Sequence, residues 1–172
     1  MARLLVLTWL CLGLAGCAPE LNWRQVQFDE AGVSQLFPCK PRRQQRTIQL
    51  VGQPRTLVLQ LCDAAGVTWG LAYLKVGEPA EVPAVLDTLA AAAHANLGAE
   101  RGAAQPQTVA GAGGYAAAGR YRLSGRRPDG QAIESALLLY ARGTVVVQLT
   151  ALGPKLDDAA VDAFLAGASA QP

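Results

Sequence analysis

The sequence predicts an α+β domain: a central antiparallel sheet covered by two main helices. Three observations lead there. Apolar residues alternate at period two in runs joined by short turns rich in Gly and Pro, the pattern of hairpins. Two stretches switch to the 3.6-residue period of an amphipathic helix. The order is strands, helix, strands, helix, which lacks the regular β-α-β alternation of a parallel sheet.

Taken in chain order, residues 23–28 and 33–37 read as short strands, the second stopped by Pro38. Residues 47–51 and 56–62 flank Gly52-Gln53-Pro54 and form a hairpin. Asp63-Ala64-Ala65-Gly66 turns into residues 67–74, where Val67, Trp69, Leu71 and Tyr73 share one face. Pro79 and Pro83 bracket a helix start, and Gly98 is a natural stop, giving a helix over 82–97. Val82, Val85, Leu86, Leu89 and Ala93 are its apolar stripe, and Ala90 to Ala93 lack bulk, so the helix can lie close to a sheet. A loop over 99–107 precedes strands at 107–110 and 115–123. Gly125 to Gly130 is a turn into residues 131–140, and Ala141-Arg142-Gly143 leads to residues 144–151. Asp157 and Asp158 suit the first turn of a last helix over 156–166, with Ala160, Val161, Phe164 and Leu165 buried. Residues 23–167 thus read as one α+β domain, with 168–172 as a tail.

The charge balance excludes some partners. Of 172 residues, 51% are hydrophobic and 16% charged, with Lys plus Arg at 15 and Asp plus Glu at 13. This near neutrality gives no case for nucleic-acid binding. One His and four Cys leave little material for a metal centre or His-based catalysis.

The start of the chain points to export. Arg3 precedes an apolar run from Leu4 to Leu14, too short for the roughly 20 residues that span a bilayer. It ends in Leu14-Ala15-Gly16-Cys17. Those four residues resemble the lipobox of bacterial lipoproteins at every position. The resemblance implies a signal peptide over 1–16, diacylglycerol and palmitate-type acylation at Cys17, and a lipidated tether over 17–22. It also implies a cell-envelope location, anchored to the membrane and facing the periplasm. Ala18 in place of Asp favours the outer membrane over the inner. With several acyl chains, each buried methylene adding about 0.8 kcal/mol, such an anchor is stable. Cys11 leaves with the signal and Cys17 takes lipid, so Cys39 and Cys62 remain. In an oxidising compartment they are expected to form a structural disulfide. A redox pair or half a metal site is the alternative, although 22 intervening residues are unlike a Cys-x-x-Cys motif.

The domain also has a familiar outline. Phe37-Pro38-Cys39-Lys40-Pro41, Gly119-Arg120-Tyr121-Arg122-Leu123 and the closing Asp-Asp-Ala-Ala-x-x-Ala-Phe-Leu helix resemble the PsbP/Mog1-like group, including its DcrB-type lipoproteins. The resemblance implies an α/β/α sandwich and an accessory or binding role, and it brings no catalytic residues.

Gly111-Ala112-Gly113-Gly114-Tyr115-Ala116 matches a dinucleotide fingerprint, with Glu134 twenty residues past Gly114. The motif needs a helix after it, and here a strand is expected, so it reads as a glycine-rich strand edge. His94 reads as a surface residue near a helix end. No nucleophile, acid pair or metal set stands out, so the expected function is non-catalytic, without cofactor or metal. Basic residues cluster at Lys40, Arg42, Arg43, Arg46 and Arg55 and again at Arg120, Arg122, Arg126 and Arg127, while acids favour the helical segments. If Arg42, Arg43, Arg46, Arg120, Arg126 and Arg127 shared a face, that face could meet an anionic lipid surface or an acidic envelope partner. The plainer reading is a solvated surface that protects strand edges. The expected function is therefore a membrane-anchored binding or accessory/scaffold module. The alternative is a carrier of a small apolar ligand, held between sheet and helix near Trp69, Tyr73 and Tyr115.

Overall fold

A computed structural model of the chain describes residues 20–100 and 102–170. The expected α+β class is present. Its elements are β1 (Arg24–Phe28), β2 (Val33–Phe37), β3 (Arg42–Leu50), β4 (Gln53–Ala64), β5 (Val67–Lys75), a 3-10 turn (Pro79–Glu81) and α1 (Val82–Leu97). They continue with β6 (Gly119–Arg126), β7 (Ala132–Arg142), β8 (Val145–Gly153), α2 (Asp158–Ala166) and β9 (Ser169–Ala170). Six strands form one sheet in the order β3-β4-β5-β8-β7-β6, and every neighbouring pair is antiparallel. A second sheet, β1-β2-β9, is also antiparallel.

Alternation along the strands builds two cores, one on each face of the large sheet. On one face, Val67, Trp69, Leu71 and Tyr73 of β5 pack with Leu138, Leu149, Phe37 of β2 and Phe164 of α2. Trp23, Trp69, Phe164, Phe37 and Phe28 form a run of edge-to-face aromatic contacts, with ring centres 5.2 to 6.2 Å apart. Such pairs each contribute about 0.5–1.5 kcal/mol beyond their burial. On the other face, Leu74, Leu137, Leu139, Val146 and Tyr121 pack beneath Val82, Val85 and Leu86 of α1. The last turn of α1 lies tightly on β6 because position 125 is Gly: a Cβ there would collide with the Leu97 carbonyl.

Several expected elements differ in detail. The first hairpin is longer than the apolar pattern shows, because the exposed, polar β3 has little hydrophobic alternation. Its turn is the two-residue Val51-Gly52, both at positive φ (51° and 71°), the geometry that matches strand twist. Pro54 lies inside β4. Leu50↔Gln53 is the closing pair, so Pro54 faces Gln49 at a site needing no donor toward β3. Pairing of β4 with β5 starts only at Val58↔Tyr73, so no donor is needed on that side either.

No strand forms over 107–110. Residues 98–100 and 102–118 form no helix or strand, and one bridge, Gln105↔Arg120, ties them to β6. The strand expected from 115 starts at Gly119, because Ala116-Ala117 turns instead and offers no branched side chains to pair. The tail is partly structured: Ser169 pairs with Ser34, and their hydroxyls meet at 2.7 Å. Helix α2 starts two residues later than expected, with Asp157 as N-cap accepting from the Ala160 N–H at 2.8 Å.

Candidate functional site

The largest departure from expectation concerns the rotation of α1. Its buried residues are Val82, Val85, Leu86, Ala90, His94 and Leu97. Leu89 and Ala93, expected in the core stripe, sit on the flank and are only partly buried. A helix about 10 Å wide also covers only part of six strands spaced about 4.8 Å apart. Helix α1 lies toward β6, β7 and β8. The β3–β5 half of that face is left as the floor of a trough, and the stripe Leu89, Ala92, Ala93 and Asn96 is its wall.

The trough has two parts. A cleft of about 260 Å³ lies over β3, β4 and β5, floored by Ile48, Leu50, Leu57, Leu59 and Leu74, with Arg46 at its border. A second, of about 220 Å³, runs on over β7 and β8 toward Arg126 and Arg127, and shares Ala93, Asn96 and Gln148 with the first. Ile48, Leu59 and Leu89 are half-buried in this concavity. The aromatic lining expected for a sheet–helix pocket is not what builds it. Trp69 is buried in the opposite core against Phe164, and Tyr115 lies in the loop that precedes β6, beside a different, smaller cleft. Tyr73 borders the trough, but its hydroxyl donates to Glu30 on the far face.

The six arginines do not share one face. Strands β3 and β6 are opposite edges of the sheet, five strand spacings or about 24 Å apart. Screening acts over about 8 Å at physiological salt, so the two clusters do not act as one field. Three of the six hold carboxylates: Arg42 with Asp63 (3.6 Å), Arg43 with Glu30 (3.0 Å) and Arg120 with Asp162. Arg122 and Arg55, from the same basic runs, pair with Glu134, Asp158 and Glu81. Most of the clustered arginines are thus paired locally with carboxylates of strands, turns and α2. Each exposed pair contributes only about 0–1 kcal/mol. The other three, Arg46, Arg126 and Arg127, form no ion pair with any described residue, and all three border the trough.

Other expected positions resolve differently. His94 is buried, not at the surface: its Nδ1 faces the Ala90 carbonyl at 2.8 Å and its Nε2 accepts from the Gly102 N–H at 3.0 Å. Those partners assign the proton to Nδ1 and occupy both ring nitrogens. Its ring packs edge-to-face on Tyr121. Residues 111–118 form no helix, and Glu134 binds Arg122 and the Leu156 N–H, so the glycine-rich run lacks the setting of a nucleotide fingerprint. The run is a loop, not the strand edge expected.

Beyond the trough, Glu30, Tyr73 and Arg43 make a polar cluster in an open groove of about 520 Å³. Bonds from the Tyr73 hydroxyl (2.8 Å) and from Arg43 hold the Glu30 carboxyl below its ordinary range. Burial, together with Glu30, raises Tyr73 above its own. These three groups satisfy one another. Cys39 and Cys62 form the expected disulfide, with Cα atoms 5.9 Å apart. Cys17 and its lipobox lie outside the described residues. Among the described residues, no three His, Cys, Asp or Glu side chains are grouped to hold a metal, and no helix is long and apolar enough to cross a membrane. Comparison with protein-family models, curated proteins and solved structures finds no match.

Proposed function

We propose that the chain is a lipid-anchored bacterial envelope protein whose domain is a non-catalytic binding module, carrying an apolar ligand in the trough beside α1. The observation that carries this reading is the half-covered sheet face, where aliphatic side chains line a concave space instead of a filled core. The Leu14-Ala15-Gly16-Cys17 sequence supports the anchor, and the Cys39–Cys62 disulfide supports an oxidising compartment. A sheet with a helix on each face supports the PsbP/Mog1-like, α/β/α reading. Palmitate labelling tests the anchor: label is expected on the wild type and lost in Cys17→Ser. Gas-phase analysis of lipids that co-purify with the protein tests the ligand. A stoichiometric apolar compound is expected, and none would contradict the carrier.

A second reading is an accessory or scaffold role toward an envelope protein. It is favoured by the outer edge of β3, which pairs with no described strand and carries Arg42, Arg43 and Arg46. An extended acidic segment could add there as a further strand. Cross-linking from Gln45, replaced by a photoreactive residue, would trap such a partner in the native envelope. Labelling of lipid alone would count against it.

A further inference from the structure

Resting on the reading of the trough as a ligand site, we propose that its ligand is a single-chain amphiphile with an anionic head, its tail in the β3–β5 cleft and its head on Arg46. Size argues for one chain. The cleft of about 260 Å³ is smaller than the roughly 300–1,000 Å³ of sites for drug-sized molecules. At about 30 Å³ per small group it holds about eight or nine methylene-sized units. Chemistry argues for a saturated tail. The floor and wall residues Ile48, Leu57, Leu59, Leu74, Leu89 and Ala93 are all aliphatic. The polar side chains Asn96 and Gln148 interrupt the aliphatic lining where the two clefts meet, and Gln148 already donates to Thr150 at 3.0 Å.

Charge argues for the head. Arg46 is the one charged side chain that borders this cleft. Its neighbours on β3, Arg42 and Arg43, are paired with Asp63 and Glu30, whereas Arg46 has no carboxylate among the described residues. It lies opposite Leu57, so its own methylenes extend the apolar wall and leave the guanidinium at the rim. A guanidinium with no acid beside it suits a carboxylate or phosphate, which it can meet with two parallel N–H donors.

The test is a titration of the oxidised mature chain, carrying Cys17→Ser to remove the anchor, with straight-chain carboxylates and alcohols below their micelle concentrations. Affinity is expected to rise about fourfold per added methylene, levelling near nine or ten carbons. Decanoate should bind about tenfold more tightly than decanol. Arg46→Gln should abolish that preference, weakening decanoate about tenfold more than decanol, while Arg126→Gln/Arg127→Gln should keep it. Ala93→Leu should weaken both probes more than tenfold. Leu89→Gln, at a half-exposed site, serves if that variant does not fold. Equal binding of decanoate and decanol, or loss of the preference only in the Arg126/Arg127 variant, would overturn the head assignment while leaving the carrier reading standing. No saturable binding of any probe would end both.

Discussion

Tyr140 is buried on β7, and its hydroxyl has no hydrogen-bond partner among the described residues. Burial raises its pKa far above the ordinary tyrosine value, so the group stays neutral and unpaired. A buried, unsatisfied hydroxyl costs about 1–3 kcal/mol. Tyr140→Phe is therefore expected to stabilise the fold by about 1 kcal/mol, read as a higher urea midpoint at unchanged slope. A lower midpoint would mean that the hydroxyl holds a partner. Glu30 illustrates the opposite case. Tyr73 and Arg43 favour its charged form, so its pKa is lower folded than unfolded. That stability is fully present above the ordinary glutamate value of about 4.3 and is lost as pH falls through the lowered folded value. Glu30→Gln should thus be less stable than wild type at pH 7, and the gap should narrow as pH falls below the ordinary glutamate value of about 4.3. A gap independent of pH would contradict the carboxylate bonds. Neither residue's role was legible in the sequence. Parity along a strand tells which residues share a face, but not which distant group each one meets. For the same reason His94 read as exposed: the rotation of α1 that buries it is set by how the helix seats on β6 and β7.

At the scale of elements, strands and helices were legible wherever apolar residues recurred at a fixed period. β5 and β8 keep a period-two apolar run, and both helices an apolar stripe. β3 does not, being exposed along most of its length, and its first five residues were missed. Its turn holds a testable oddity. Val51 is an exposed, β-branched residue at φ 51°, where Asn and Gly are favoured. Val51→Asn should stabilise the hairpin by about 1 kcal/mol, measured as a rise in Tm. A fall would show that Val51 makes a contact that offsets its strain. The disulfide acts across elements: Cys39 follows β2 in the small sheet, and Cys62 lies in β4 of the large one, 23 residues on. Replacing both by Ala should cost about 3 kcal/mol, seen in denaturant unfolding. A loss under 1 kcal/mol would mean that the aromatic core alone joins the two sheets.

For the whole molecule, the order of elements made the α+β class and the antiparallel sheet legible, because hairpin turns leave few alternatives for consecutive strands. The position of the sheet's edges was not legible. Strand order arises from long-range pairing of β5 with β8, which separates β3 from β6 and scatters arginines that look clustered in sequence. The trough was equally hidden, since it depends on one helix being narrower than the face it covers. The account's central claim is that this trough binds a ligand. Native mass spectrometry of the protein extracted from its own envelope tests it most directly, comparing wild type with Ala93→Leu. The account predicts a non-covalent, one-to-one adduct of an acyl-chain compound on the wild type, released on denaturation and absent from the variant. Masses equal to the bare mature chain and its covalent lipid, in wild type and variant alike, would contradict it.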